Sequence, residues 1–249
     1  MTGMTNNVSV AKNIAEKQKL LREIYVPTDR TQRIVELIDQ LAAVKQADVG
    51  GDHSAALIYG DSYSEKSSAL KHAIKMHGRT STGAPTVMLV TLPPAVTRRS
   101  MLLAIGAAAD VEGFFDPTRV KANEYQLQKM ICRMLENLGT SVLVLDEAHH
   151  IQYGRANDAG KVVGELIKTC LIEGPCPIVL CGAGSNAKRP FLENRQLANR
   201  TIGWFEVKPF DIQNDVDRSS FKKLFHTYFH EMLKKGIIGD GALLRTNEF

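Results

Sequence analysis

The chain has 249 residues, 44% of them hydrophobic and 23% charged, with a formal net charge of +4. These ordinary values exclude a disordered tail, a collagen and a disulfide-stapled miniature, and the length suits one large domain, with or without a small companion, around a sizeable core. The mild positive balance permits a basic patch without requiring nucleic acid.

The opening residues, MTGMTNNVSVAKNIAEKQK, lack the apolar segment of a secretory leader, and no later run approaches the ~18 consecutive apolar residues of a membrane span. A cytoplasmic location without a membrane partner is expected, and residues 1–23 read as an N-terminal helical extension. Next, Ile34, Leu37, Ile38 and Leu41 fall at helical spacing. Residues 48–52 read as a loop before the first of five apolar β-type runs, and residues 81–85 as a turn before the second. The runs are Ala55–Gly60, Thr86–Thr91, Ser141–Asp146, Pro177–Gly182 and Ile202–Val207. Helix-period stripes lie between them: Leu127, Ile131, Met134 and Leu135, then Val162, Val163, Leu166 and Ile167. Near-continuous apolar strands alternating with helices indicate an α/β fold, a parallel five-stranded sheet flanked by helices. Beyond Pro209 the pattern becomes purely helical, with an aromatic stripe from Phe221 to Leu233, so 24–210 reads as the core and 211–249 as a short helical lid.

The first strand runs into Gly60-Asp61-Ser62-Tyr63-Ser64-Glu65-Lys66-Ser67. This matches G-x-x-x-x-G-K-[ST], a phosphate-cradling loop between a strand and a helix, at every fixed position but one. Backbone N–H groups from Gly60 to Ser68 would wrap phosphate at a helix N-terminus, Lys66 would reach the terminal phosphates, and Ser67 would ligate Mg2+. Glu65 replaces the second glycine. A carboxylate held about 4 Å from a phosphate charge is opposed by about 4 kcal/mol at an effective dielectric of 20, and by a fraction of that if it turns to solvent.

The third strand ends in Asp146-Glu147-Ala148-His149-His150, two carboxylates at the carboxyl edge where open α/β sheets bind ligands. The chemistry of a P-loop ATPase wants one acid, Asp146, beside Mg2+ and a second, Glu147, to polarise the attacking water. Two-domain helicases carry a similar D-E-A-H string, but this chain is too short for their paired domains. The four cysteines, Cys132, Cys170, Cys176 and Cys181, have no C-x-x-C spacing and read as reduced core residues. Of the seven histidines, His226 and His230 share a helix face and read as packing, and no histidine metal site is expected.

With Leu57–Ser62, Lys66–Ser67, Val144–His149, Gln196–Arg200 and the aromatic helix from Phe221 in this order, the chain resembles the AAA+ ATPases. Within them it is similar to the transposition regulators TniB, TnsC and Mu B, over about residues 30–235. The resemblance implies binding of ATP and Mg2+ between subunits, a homo-oligomeric ring or filament on double-stranded DNA, and recruitment of a transposase and a TniQ-type target-selection protein. It implies adenine contact by Tyr25 and Val26, and a neighbour-directed arginine finger at Arg200. It also points to DNA-facing residues after the second strand, where Arg98 and Arg99 follow Thr97, and in the next loop at Arg119 and Lys121. Guanidinium, hydroxyl and a helix start together suit phosphate contact. Two other readings stand beside this one: a non-hydrolysing scaffold with a degenerate loop, and a signalling ATPase that ignores DNA.

Overall fold

The computed structural model describes residues 13–47, 54–81, 83–94, 96–153 and 159–239. The loop expected at 48–52 lies outside them, as do Thr82 within the 81–85 turn and the chain after 239. The described elements are α1 (13–22), α2 (Asp29–Gln46), β1 (Ala55–Gly60), α3 (Lys66–His77), β2 (Val87–Thr91), α4 (Arg98–Ala109), α5 (Glu124–Asn137), β3 (Val142–Asp146), α6 (Ala159–Glu173), β4 (Ile178–Ala183), α7 (Arg189–Glu193), α8 (Arg195–Asn199), β5 (Thr201–Val207) and α9 (Asp215–Lys234). Two 3-10 turns, Ala148–Tyr153 and Ser185–Lys188, follow β3 and β4.

All five strands run parallel, in the order β2-β3-β4-β1-β5. They coincide with the five apolar runs to within a residue at either end. β1 and β3 are buried along their whole length, as strands covered on both faces must be. Alternation divides them: Leu57, Met88, Val90, Leu143, Leu145 and Leu180 join Leu102, Ile105, Leu127, Ile131 and Leu166 in one apolar cluster under α4, α5 and α6. The intervening Ala56, Ile58, Val144, Val179 and Cys181 point to the opposite face and are also buried. On α2, the buried Ile34, Val35, Ile38 and Leu41 recur at helical spacing. β5 alternates between half-buried and exposed positions because it is an edge strand, and Ile202 and Trp204 stay exposed on it.

The chain divides into two compact units, Asp29–Pro209 and a second made of Met1–Thr28 with Phe210–Phe249. In the second unit α9 is capped by Asn214, whose side chain accepts from the Val216 and Asp217 N–H groups. Its aromatic residues contact one another, Phe225 stacking on Phe229 and Phe210 meeting Phe221 edge-on. Among the described residues no helix is long and apolar enough to cross a membrane.

Candidate functional site

β1 delivers Gly60 to the carboxyl edge of the sheet, where only glycine fits: a Cβ there would stand 2.2 Å from the Val207 carbonyl oxygen at the end of β5. Residues 61–65 then fold into a tight loop and α3 begins at Lys66. Tyr63 at φ 65° and Glu65 at φ 62° are both left-handed. That conformation suits glycine and costs any other residue roughly 1–2 kcal/mol, so the loop keeps the backbone course its second glycine would allow, under strain.

Lys66 turns back into this loop and is only 7% exposed. Its Nζ donates to Gly60 O at 3.1 Å, Asp61 O at 2.7 Å and Ser64 Oγ at 2.9 Å, which engages all three ammonium protons. The Gly60 carbonyl also accepts from the Gly184 N–H at 2.9 Å, tying the end of β1 to the loop after β4. Tyr63 is fully exposed at the loop tip, and Ser68 faces outward on α3. The Glu65 carboxyl is raised above its ordinary value, chiefly by partial desolvation, while Arg30 on α2 pulls it back. That electrostatic link places Glu65 within the field of a cation from another helix. Arg30 itself donates to Lys208 O at 2.6 Å.

β3 brings its acids to the same edge. Ser67 Oγ donates to Asp146 Oδ2 at 2.8 Å, joining positions 79 residues apart. The other oxygen of this buried carboxylate accepts from the Glu147 N–H at 2.9 Å. Glu147 has φ 61°, and that left-handed step turns the chain off the strand so that the two neighbouring carboxylates diverge. Asp146 faces α3, whereas Glu147 Oε2 lies 3.3 Å from His149 Nδ1.

The basic segment after β2 is arranged otherwise. Thr97 and Ser100 form a reciprocal cap at the start of α4. Behind it Arg99 donates to Val120 O at 2.6 Å and Ala122 O at 2.8 Å, and Arg98 donates to Gln128 at 3.1 Å and pairs with Glu124 at 3.7 Å. Both guanidiniums are thus turned to the loop and helix that follow. Arg119 differs, with its side chain 87% exposed and paired with Asp116 at 3.0 Å, and Lys121 is exposed. The Thr118 hydroxyl and N–H hold the Asp116 carboxyl below its ordinary value.

Arg200 is not brought to the phosphate loop. It immediately precedes β5, and its carbonyl accepts from Ala55 N–H at the start of β1, so it lies at the sheet edge opposite Gly60. A five-residue step along β1 at about 3.3 Å per residue separates those edges by ~17 Å. Tyr25 and Val26 fall in the other compact unit.

Cys176 and Cys181 are buried in the core, where burial pushes the Cys176 thiol up to about 12, whereas Cys132 and Cys170 are half-buried, and among the described residues no disulfide joins any of the four. What the sequence reading missed is the pair His149 and His150, which together with Glu147 offers three ligand atoms within 4.8 Å of one another. Its signal was on view, a carboxylate followed two and three residues later by imidazoles. Helical histidine spacing does not reveal it because these residues sit in a 3-10 turn.

The family described as bacterial TniB protein matches residues 18–208. Among solved structures the chain is similar to the Aeropyrum pernix ORC1 protein in complex with DNA, with TM-score 0.58 and 16% identity over 85% of this chain and 53% of that one. It is also similar to the Aeropyrum pernix ORC2 protein in its ADP form, with TM-score 0.60 and 12% identity over 85% and 55%. CDC6P from Pyrobaculum aerophilum follows, with TM-score 0.54 and 14% identity over 82% and 53%. The chain therefore spans about half the length of these proteins and shares their AAA+ fold. No curated protein sequence matches it.

Proposed function

The chain belongs to the TniB family, and from that premise we propose that it is an AAA+ ATPase regulating DNA transposition, with ATP and Mg2+ as its switch. The carrying observation is the Ser67–Asp146 hydrogen bond, which unites the phosphate loop with the acid pair of β3. Both groups offer hard oxygen donors. Ser67 and Asp146 would together hold Mg2+ once the Ser67 hydroxyl proton turned away from the carboxylate. Mg2+ held there would neutralise phosphate charge. Lys66 would exchange its contacts with Gly60, Asp61 and Ser64 for phosphate oxygens, with the N–H groups of 60–68 around it. Glu147 would orient water. Arg200, at the far edge of its own sheet, suits contact with nucleotide on a second copy, which is how a fixed guanidinium fork stabilises transferred phosphate in trans.

Similarity to DNA-bound ORC1 and to ADP-bound ORC2 supports duplex DNA and nucleotide as ligands. In our reading Arg119 and Lys121 touch the DNA backbone directly, whereas Arg99 braces the loop that carries them and Arg98 is held by the helix that follows. An oligomer on DNA multiplies these few contacts, so a charge of +4 suffices. That assembly would present itself to a transposase and a TniQ-type selector.

Glu65 favours a second reading, a non-hydrolysing nucleotide-dependent scaffold. ATP turnover of the wild type and of Glu65→Gly separates the two: substantial, equal turnover in both sinks the scaffold, and turnover confined to the variant sinks the enzyme. Electron micrographs with duplex DNA test the shared part. Rings or filaments dependent on both DNA and ATP are expected, and monodisperse particles under every condition refute it.

A further inference from the structure

β3 is followed by a carboxylate, Glu147, and two imidazoles, His149 and His150, and the backbone gathers all three beyond the strand end. The left-handed φ of Glu147 starts the turn Ala148–Tyr153. This turn lies tightly on β4 because residue 182 is glycine: a Cβ there would come within 2.9 Å of His149 N and 3.3 Å of Ala148 N. Glu147, His149 and His150 are all half-buried and present one ligand atom each within 4.8 Å of the others.

Two details favour a metal ion in this cluster. Glu147 Oε2 and His149 Nδ1 are 3.3 Å apart, and Nδ1 also accepts from the Ala183 N–H at 3.3 Å. The one lone pair of Nδ1 is thus taken by a long contact with the Ala183 N–H, which a cation seated between this nitrogen and the carboxylate would replace. Zinc bonds of about 2.0–2.1 Å at the tetrahedral angle put neighbouring ligand atoms about 3.4 Å apart, so this pair already has the spacing of a tetrahedron edge. The second detail is His150 Nδ1, 3.1 Å from Leu92 O. A carbonyl only accepts, so Nδ1 is the donor, and in the neutral ring the lone pair is on Nε2. A histidine whose other nitrogen donates to a backbone carbonyl has the outer support typical of metal ligands. Bringing the third ligand atom from within 4.8 Å of the other two to the tetrahedral spacing needs a movement of roughly 1.5 Å.

We infer that Glu147, His149 and His150 form a binding site for a divalent transition-metal ion of the Zn2+ or Co2+ type, separate from the oxygen pair Ser67 and Asp146. Imidazole nitrogens select such ions over Mg2+. The consequence for activity rests on the proposed function: an ion here occupies the Glu147 carboxylate and leaves Lys66, Ser67 and Asp146 to hold nucleotide. It is a brake on hydrolysis that does not release ATP.

The full chain is titrated without nucleotide, with Zn2+ by calorimetry and with Co2+ by visible absorption. One ion per chain is expected, with the spectrum of four-coordinate cobalt bound by nitrogen and oxygen. His149→Gln and His150→Ala, each checked for an unchanged thermal midpoint, should weaken binding by more than about 100-fold, beyond the roughly 10- to 100-fold cost of losing an outer-shell partner. His226→Ala combined with His230→Ala should bind as the wild type does. Equal affinity in the first two variants, or a sulfur-to-cobalt charge-transfer band that moves the ion to the cysteines, overturns the site. This measurement needs no ATP, so a failure of the nucleotide reading shows separately, as absent ATP binding. Where ATP does bind, zinc should suppress turnover with nucleotide retained, and nucleotide expelled by zinc overturns the brake.

Discussion

The phosphate loop at 60–67 and the basic segment at 97–122 both carry cationic side chains chosen by the same chemistry, and the fold treats them in opposite ways. At the loop, Lys66 and Ser67 sit on the first turn of α3, directly beyond a buried strand, and Asp146 arrives on a neighbouring strand of the same parallel sheet. Short side chains on rigid strand ends have few places to go, and Ser67 and Asp146 meet at 2.8 Å. In the basic segment Arg98 and Arg99 are long and flexible, and nearby oxygens claim them: Gln128 and Glu124 for one, the Val120 and Ala122 carbonyls for the other. A motif made from backbone course and short groups carries its geometry with it. An arginine pair carries only reach, and whichever acceptors the fold brings near decide where that reach ends.

The sharpest break of this contrast is Lys66→Ala. It removes the only side-chain cation inside the loop, and ATP turnover, followed by phosphate release, should fall by roughly 100- to 1000-fold, the usual loss for one preorganised donor. An unchanged rate would mean the loop does no phosphate chemistry. Arg99→Ala tests the other side. It leaves two carbonyls without their charged donor and should lower stability by about 2 kcal/mol, a drop of about 4–8 °C in the thermal midpoint for a chain of this size. A variant of wild-type stability with weakened DNA retention would return Arg99 to direct phosphate contact. The smallest effect is expected for Arg119→Ala with Lys121→Ala. Their side chains are exposed, so the thermal midpoint should move little, while the dependence of DNA affinity on salt should flatten by about one to two phosphate contacts. If the salt dependence does not change, the duplex lies elsewhere.

Much of this was open to reading from residue order. Five apolar runs became five parallel strands because a strand buried on both faces has no polar side to hide. The loop and acid pair were legible because phosphate chemistry tolerates few spacings between a strand and its helix. Glu65 showed in the sequence only as a charge in the wrong place. Its left-handed backbone and its electrostatic link to Arg30 needed α2 and α3 in position. Glu147, His149 and His150 were visible as letters, yet their convergence depends on one backbone angle and on the missing side chain of Gly182.

By itself, then, the amino-acid order determined the α/β class, the strands, the position of the phosphate loop and that of the acid pair at the end of the third strand. These depend on local periodicity and on motifs short enough for chain geometry to dictate. The tertiary structure decided the strand order β2-β3-β4-β1-β5, the inward turn of Arg98 and Arg99, the placing of Arg200 at the far sheet edge and the gathering of two histidines beside Glu147. Each of those depends on which distant acceptors and strand neighbours come within about 3 Å, and hydrogen bonds and ion pairs act only at that range.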